Sequence, residues 1–224
     1  MIKLIDILLE EKQEKYNILK QLRSPEDRKK GYLIATQQKI QQYIKDGSKG
    51  DLGLYDTPIT SLPDNLTVGG SLGLRGTLIT SLPNNLTVKG NLDLSYTPIT
   101  SLPDNLTVGN SLYLYGTPIE SLPDNLTVKG DLDLNGTKIV SLPNSLKIRG
   151  GLYLYDTSIA SLPNNFTVGN DLDLNDTLIS SLPDNLAVGN DLYLIDTPLS
   201  KTHTEEQIRQ MAPGVKGSIY LQYD

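Results

Sequence analysis

The chain has 224 residues, 38% of them apolar and 21% charged, with a formal net charge of −6, values of a folded soluble protein rather than a disordered or membrane-spanning one. Cysteine is absent, which excludes disulfides, zinc–thiolate sites and thiol nucleophiles, and a single histidine, His203, excludes a two-histidine metal site or mechanism. Aromatic content is skewed to 12 Tyr against one Phe and no Trp.

The first 50 residues are the basic part of an otherwise acidic chain: they carry 11 Lys+Arg and 7 Asp+Glu, against 9 and 19 in residues 51–224. An acidic body repels phosphates, so nucleic acid is not an expected partner, and a basic or polar protein fits better. The opening apolar stretch is interrupted by Lys3 and Asp6 and followed by Glu10 and Glu11. It is therefore not expected to be a secretion signal, and no run approaches the ~20 apolar residues of a spanning helix. A cytoplasmic setting without membrane partners is expected. Ile5, Leu8, Leu9, Tyr16, Leu19 and Leu22 have helical spacing. Ser24-Pro25-Glu26-Asp27 then supplies an N-cap, a proline at the first helical position and acids in the first turn, opening a second helix to about Lys45. Leu33, Ile40 and Ile44 share one face of it, and the two helices are expected to fold as a hairpin over the first coil of the repeat.

From residue 51 a 20-residue period takes over. Thr57, Thr77, Thr97, Thr117, Thr137, Thr157, Thr177 and Thr197 form an unbroken series, and Pro63 recurs at 83, 103, 123, 143, 163 and 183. The consensus LxLxxTxIxSLPxNLxVxG gives each position a role. Leu72-x-Leu74 alternates as a short half-buried strand, and copies one period apart stack in parallel about 4.8 Å apart. Thr77 bonds the turn backbone through its hydroxyl while its methyl tolerates burial. Ile79 and Leu82 point inward, Pro83 opens a turn, and Leu86 and Val88 alternate as a second strand. Only Gly or Asn precedes each new strand unit, at 70, 90, 110, 130, 150, 170 and 190, which predicts a left-handed backbone there. One coil cannot fold alone, so stability comes from stacking and both ends need caps. At the far end the repeat breaks after Leu199, Thr204-Glu-Glu-Gln207 forms a capping box for a short helix to about Met211, and Val215–Leu221 repeats the strand pattern as a ninth strand.

The unit LxLxxTxIxSLPxNL resembles the leucine-rich-repeat family in its short bacterial form. Phrases such as SLPDNLTVGG and the TPLSK…EEQI ending are similar to repeat proteins carried by tailed phages and some bacteria. A weaker resemblance runs to type III secreted leucine-rich-repeat effectors, from which the chain departs by having one LP per unit and Thr where they have Asn. With no Cys, it is not expected to carry their ubiquitin-ligase chemistry. The fold class expected is an α/β repeat solenoid, β-dominated. Residues 1–50 form an N-terminal helical cap, 51–200 eight 20-residue coils, and 201–224 a C-terminal cap helix plus the ninth strand. The resemblance implies protein recognition on the strand face.

Individuality lies in the outward positions. Between the strand leucines stand Gly53, Gly73, Asp93, Tyr113, Asp133, Tyr153, Asp173 and Tyr193, so Asp and Tyr alternate from the third coil on. Tyr55, Tyr115 and Tyr155 add rings two places later, and Asp51, Asp131, Asp171 and Asp191 add acids two places earlier. Tyr offers large contact area with a polar tip. The candidate partner-binding set is Asp93, Tyr113, Tyr115, Asp133, Tyr153, Tyr155, Asp173, Asp191 and Tyr193, against the alternative that the alternation is a relic of duplicating a two-coil unit. Calcium needs 6–8 oxygens, and the glycine-rich Asp loop of calcium-binding β-rolls is missing, so neither a metal nor any other cofactor is expected. Repeated, equivalent carboxylates on an open face do not single out a catalytic acid, and no enzyme is expected. Two functions stay open: a protein-binding module, such as a phage or bacterial effector or inhibitor, and a structural component of a phage particle or assembly docked through the basic N-terminal helices.

Overall fold

The alternation of the strand segments and the 20-residue period together produce two parallel sheets. In the computed structural model, which describes residues 24–222, each coil contributes one two-residue strand to a front sheet and one to a back sheet. The front sheet has nine strands in chain order, from Leu52–Gly53 through Leu112–Tyr113 and Leu192–Tyr193 to Ile219–Tyr220. The back sheet has eight, from Thr67–Val68 through Thr127–Val128 to Gly214–Val215. Register advances by one period per strand, as in Leu112↔Leu132 and Tyr113↔Asp133. Only the last step of each sheet is longer, Leu192↔Ile219 in front and Ala187↔Gly214 behind, because a helix is inserted before these final strands.

Between the sheets the inward Leu, Ile and Val of every coil join in one continuous hydrophobic core. From Thr77 on the threonine series is buried beside it, and every hydroxyl, Thr57 included, donates to the carbonyl three residues back. Thr77 Oγ1 reaches Leu74 O at 2.7 Å and Thr117 Oγ1 reaches Leu114 O at 2.8 Å. The same bond recurs at 57, 97, 137, 157, 177 and 197. This is why a β-branched hydroxyl suits the position: the methyl packs and the oxygen serves the turn.

The left-handed residues differ from the expectation. Gly70, Gly90, Asn110, Gly130, Gly150, Asn170 and Asn190 do not have positive φ. That conformation falls instead on the residue before each threonine: Asp56, Gly76, Tyr96, Gly116, Gly136, Asp156, Asp176 and Asp196, with φ between 54° and 68°. It falls also on Asn65, Asn85, Asn165 and Asn185 after the prolines. Glycine before the strand answers to crowding between coils. A Cβ at Gly70 would lie 2.6 Å from the Gly50 carbonyl carbon, and one at Gly90 would lie 2.8 Å from that of Gly70.

Both ends are covered. Helix α1 (Pro25–Lys45) has the expected start, a Ser24 capping box closed with Asp27 and proline at the first position. Ile40 is buried against the first coil, with Leu33 and Tyr43 packed beside it. Ile44 is 38% exposed, and its expected place is taken by Tyr43. The Tyr43 hydroxyl donates to Gly50 O at 2.8 Å and accepts from Gly69 N at 3.1 Å, tying the helix to the first turns. The helix expected over residues 3–22, and so the hairpin, lies outside the described residues. At the other end α2 (Glu205–Met211) starts with the expected Thr204–Gln207 capping box and buries Ile208 over the last coils. Arg209 donates to Gly217 O at 3.1 Å and pairs with Glu205 at 3.2 Å, closing α2 onto the final strand.

Candidate functional site: the front-sheet face

The front sheet aligns the outward residues into rows that run along the solenoid. Because successive strands pair without slip, Gly73, Asp93, Tyr113, Asp133, Tyr153, Asp173, Tyr193 and Tyr220 are direct neighbours in one row. Six of the nine predicted contact residues are therefore brought together. Tyr115 and Tyr155 stand one row along, 38% and 41% exposed.

The row continues further than the sequence indicates. The Tyr55 ring folds across the two glycines at its N-terminal end, so that a Cβ built on Gly73 would fall 2.0 Å from Tyr55 Cζ. A ring thus occupies the place where Gly73 has no side chain. Rings and carboxylates then alternate without a break from Tyr55 to Tyr193, and Tyr220 ends the series by stacking on Tyr193 at 4.7 Å and 8°.

The three acids of this row are held in a common way. Asp93, Asp133 and Asp173 each use Oδ1 to accept the backbone N–H two residues on, at 3.0, 3.0 and 2.9 Å. Burial among the neighbouring rings pushes the Asp133 carboxyl up from its usual range, the Asn135 N–H partly offsets it, and the Asp93 and Asp173 charges add to the rise. Asp173 is likewise pushed up by burial, against its Asn175 N–H and with Asp176 adding. The Tyr153 phenol is raised by burial and then by Asp131 and Asp171, and the Tyr193 phenol by burial and then by Asp191 and Asp171.

The acids two places earlier do different work. Side chains at 51, 71, 91, 111, 131 and 171 each accept the backbone N–H of the residue twenty on, as Asp131 Oδ1 does from Gly151 at 2.8 Å. Asp191, one of the predicted contact residues, belongs to this ladder: its Oδ1 accepts the Ser218 N–H at 2.7 Å and anchors the final strand. Asp, Asn and Ser interchange there because each offers a short side-chain acceptor, and Gly151 is the one gap in the ladder.

Sequence reasoning passes over Arg75, Tyr96 and Tyr220. Tyr96 occupies a left-handed position, φ 57°, where seven other coils place Asp or Gly. Bulky residues resist that conformation. It is held from both sides, with the Arg75 guanidinium 5.1 Å from its ring centroid and the Tyr115 ring edge-on at 5.0 Å. Two adjoining hollows open here. One of ≈ 520 Å³ is lined by Tyr55, Asp56, Arg75, Gly76, Asp93 and Tyr96, and one of ≈ 360 Å³ reaches on to Tyr113, Tyr115 and Asp133. A tyrosine in a column of Asp and Gly is the signal that would have found it.

No family model matches the chain, and no curated protein matches it either. Among solved structures the chain is similar to the leucine-rich-repeat domain of a Shigella effector, with a TM-score of 0.57, 22% identity, and 84% of this chain and 88% of that one covered. With the 20-residue coils, this makes the fold a leucine-rich-repeat solenoid. Among the described residues no helix is long and apolar enough to cross a membrane.

Proposed function

We propose that the protein is a non-enzymatic binding module that recognises another protein through the front-sheet face, with Tyr113, Tyr115, Asp133, Tyr153, Tyr155 and Asp173 at its centre and Asp93, Asp191 and Tyr193 at its ends. The observation that carries this reading is the unbroken row of rings and acids on the outward side of nine in-register strands. The interior positions of each coil are held by packing, so only the outward ones are free to encode a partner. Half-exposed Tyr side chains supply the amphipathic area from which binding hot spots are built. An effector or inhibitor role in the cytoplasm of a bacterium or a phage-infected cell fits the resemblance of the repeat. The test is the paired change Tyr113→Ala with Tyr153→Ala, measured by calorimetry against a partner captured with the full chain. Loss of one central Tyr is expected to weaken binding by about 2 kcal/mol or more. Unchanged affinity in a folded variant would move the site to α1, where Tyr32 and Ile34 are exposed.

A further inference from the structure

The front face is acidic and has little internal counter-charge. Its rows carry Asp93, Asp133 and Asp173 with the ladder acids beside them, and Arg75 is the one cation among the strand-row residues. Among the described residues the one ion pair is Arg209–Glu205, on the C-terminal cap. Each of the three row acids has Oδ1 committed to a backbone N–H. None of the hydrogen bonds among the described residues engages the Oδ2 of these three acids, which is left for a partner.

The spacing of these acids is set by the sheet. They recur every second strand, so consecutive carboxylates, and consecutive rings, are about 9.6 Å apart. A cation seated midway between two rings lies about 4.8 Å from each, inside the ~6 Å reach of a cation–π contact. It meets the aspartate at the floor of the slot.

We propose that the partner segment is a Lys- or Arg-bearing stretch of polyproline II helix that lies along the solenoid axis and seats every third residue in the Asp93, Asp133 and Asp173 slots. This inference rests on the protein-binding reading above. Spacing decides between conformations. A polyproline II segment advances about 3.1 Å per residue and repeats its face every three residues, giving about 9.3 Å per slot. Its drift over two intervals is about 0.6 Å. A strand presents one face every two residues, about 6.7 Å, and misses the second slot. A helix returns to one face after seven residues, about 10.5 Å, and drifts about 1.8 Å over two intervals. The polyproline II backbone also keeps its polar groups solvated, as an open face requires.

The experiment measures binding of fluorescein-labelled 12-residue peptides, each with four Arg and eight Pro, to the full chain by anisotropy at about 0.15 M salt. Arginine stands at every third position in one peptide, at every second in another, and in a single block in a third. The three-residue spacing is expected to bind about tenfold tighter than the other two, because more of its charges are seated at once. The double change Asp133→Asn with Asp173→Asn, in a chain whose circular dichroism is unchanged, is expected to erase that preference. Equal affinity for all three peptides, no binding of any of them, or a preference that survives the double change would overturn the inference. None of these results touches the protein-binding reading, which fails only if the Tyr113→Ala, Tyr153→Ala chain keeps its affinity for the captured partner.

Discussion

Replacing Thr117 by valine isolates the bond that repeats in every coil. Thr117 is 2% exposed, and its hydroxyl donates to Leu114 O at 2.8 Å. Valine keeps the volume and the branched shape, so no cavity opens. The Leu114 carbonyl still accepts the Thr117 backbone N–H at 3.1 Å and is not orphaned. What is lost is one net hydrogen bond, about 1 kcal/mol, with a range of roughly 0.5 to 1.5. For a domain of this size that lowers Tm by about 2–4 °C per kcal/mol. Urea denaturation followed by circular dichroism measures the difference, with an unchanged m-value showing that only stability has moved. Thr100→Val, on an exposed position of the same solenoid, is the control and stays within about 0.5 kcal/mol of the parent. A Thr117→Val chain as stable as the parent would refute the role given to the hydroxyl and leave the threonine series as packing alone.

Ending the chain at Ser200 removes α2 and the final strand of each sheet and uncovers Leu192, Leu194 and Leu199. Self-association by light scattering and a lower melting temperature are expected, and a monomer melting like the full chain would contradict the capping role. Asp133→Asn has a defined pH signature. Folding raises the carboxyl pKa, so the folded state binds more protons than the unfolded one and ionised Asp133 costs stability at neutral pH. The asparagine chain is therefore expected to melt higher at pH 7, with its advantage shrinking as pH falls through the raised pKa and gone below the ordinary Asp range. A difference in melting temperature that is flat with pH would contradict this. Tyr96→Gly relieves a left-handed tyrosine, worth about 1–2 kcal/mol. It forfeits the edge-on ring and the Arg75 contact, together of similar size. Stability is expected to stay within about 1 kcal/mol of the parent while partner binding weakens. A large loss of stability would show that Tyr96 is structural.

The period made the architecture legible because every physical requirement of a coil recurs eight times: the inward leucines and the threonine back-bond stand where the pattern puts them, and so do the capping boxes at the two ends. Backbone conformation was legible less well. Gly or Asn before each strand suggests a left-handed residue, yet glycine there answers to the closeness of the coil beneath, as at Gly70 and Gly90. Pattern alone does not separate the two causes, since glycine satisfies both. Within the site, the alternation of Asp and Tyr is visible as text because each strand is two residues long and register is set by the period. The ring lent by Tyr55 to Gly73 is not, because it comes from a different row and depends on how one side chain folds over. Asp191 reads as a surface acid until the Ser218 N–H is seen on its carboxylate.

The front sheet, and not the back one, is the face assigned to the partner, and photo-crosslinking tests that assignment most directly. A benzophenone amino acid is placed at Tyr153 on the front face in one chain and at the exposed Thr127 on the back sheet in another, and both are irradiated in extract of the native cell. A discrete crosslinked protein is expected from position 153, competed away by unlabelled parent chain, and none from position 127. A competed crosslink from 127 with none from 153 would contradict the assignment.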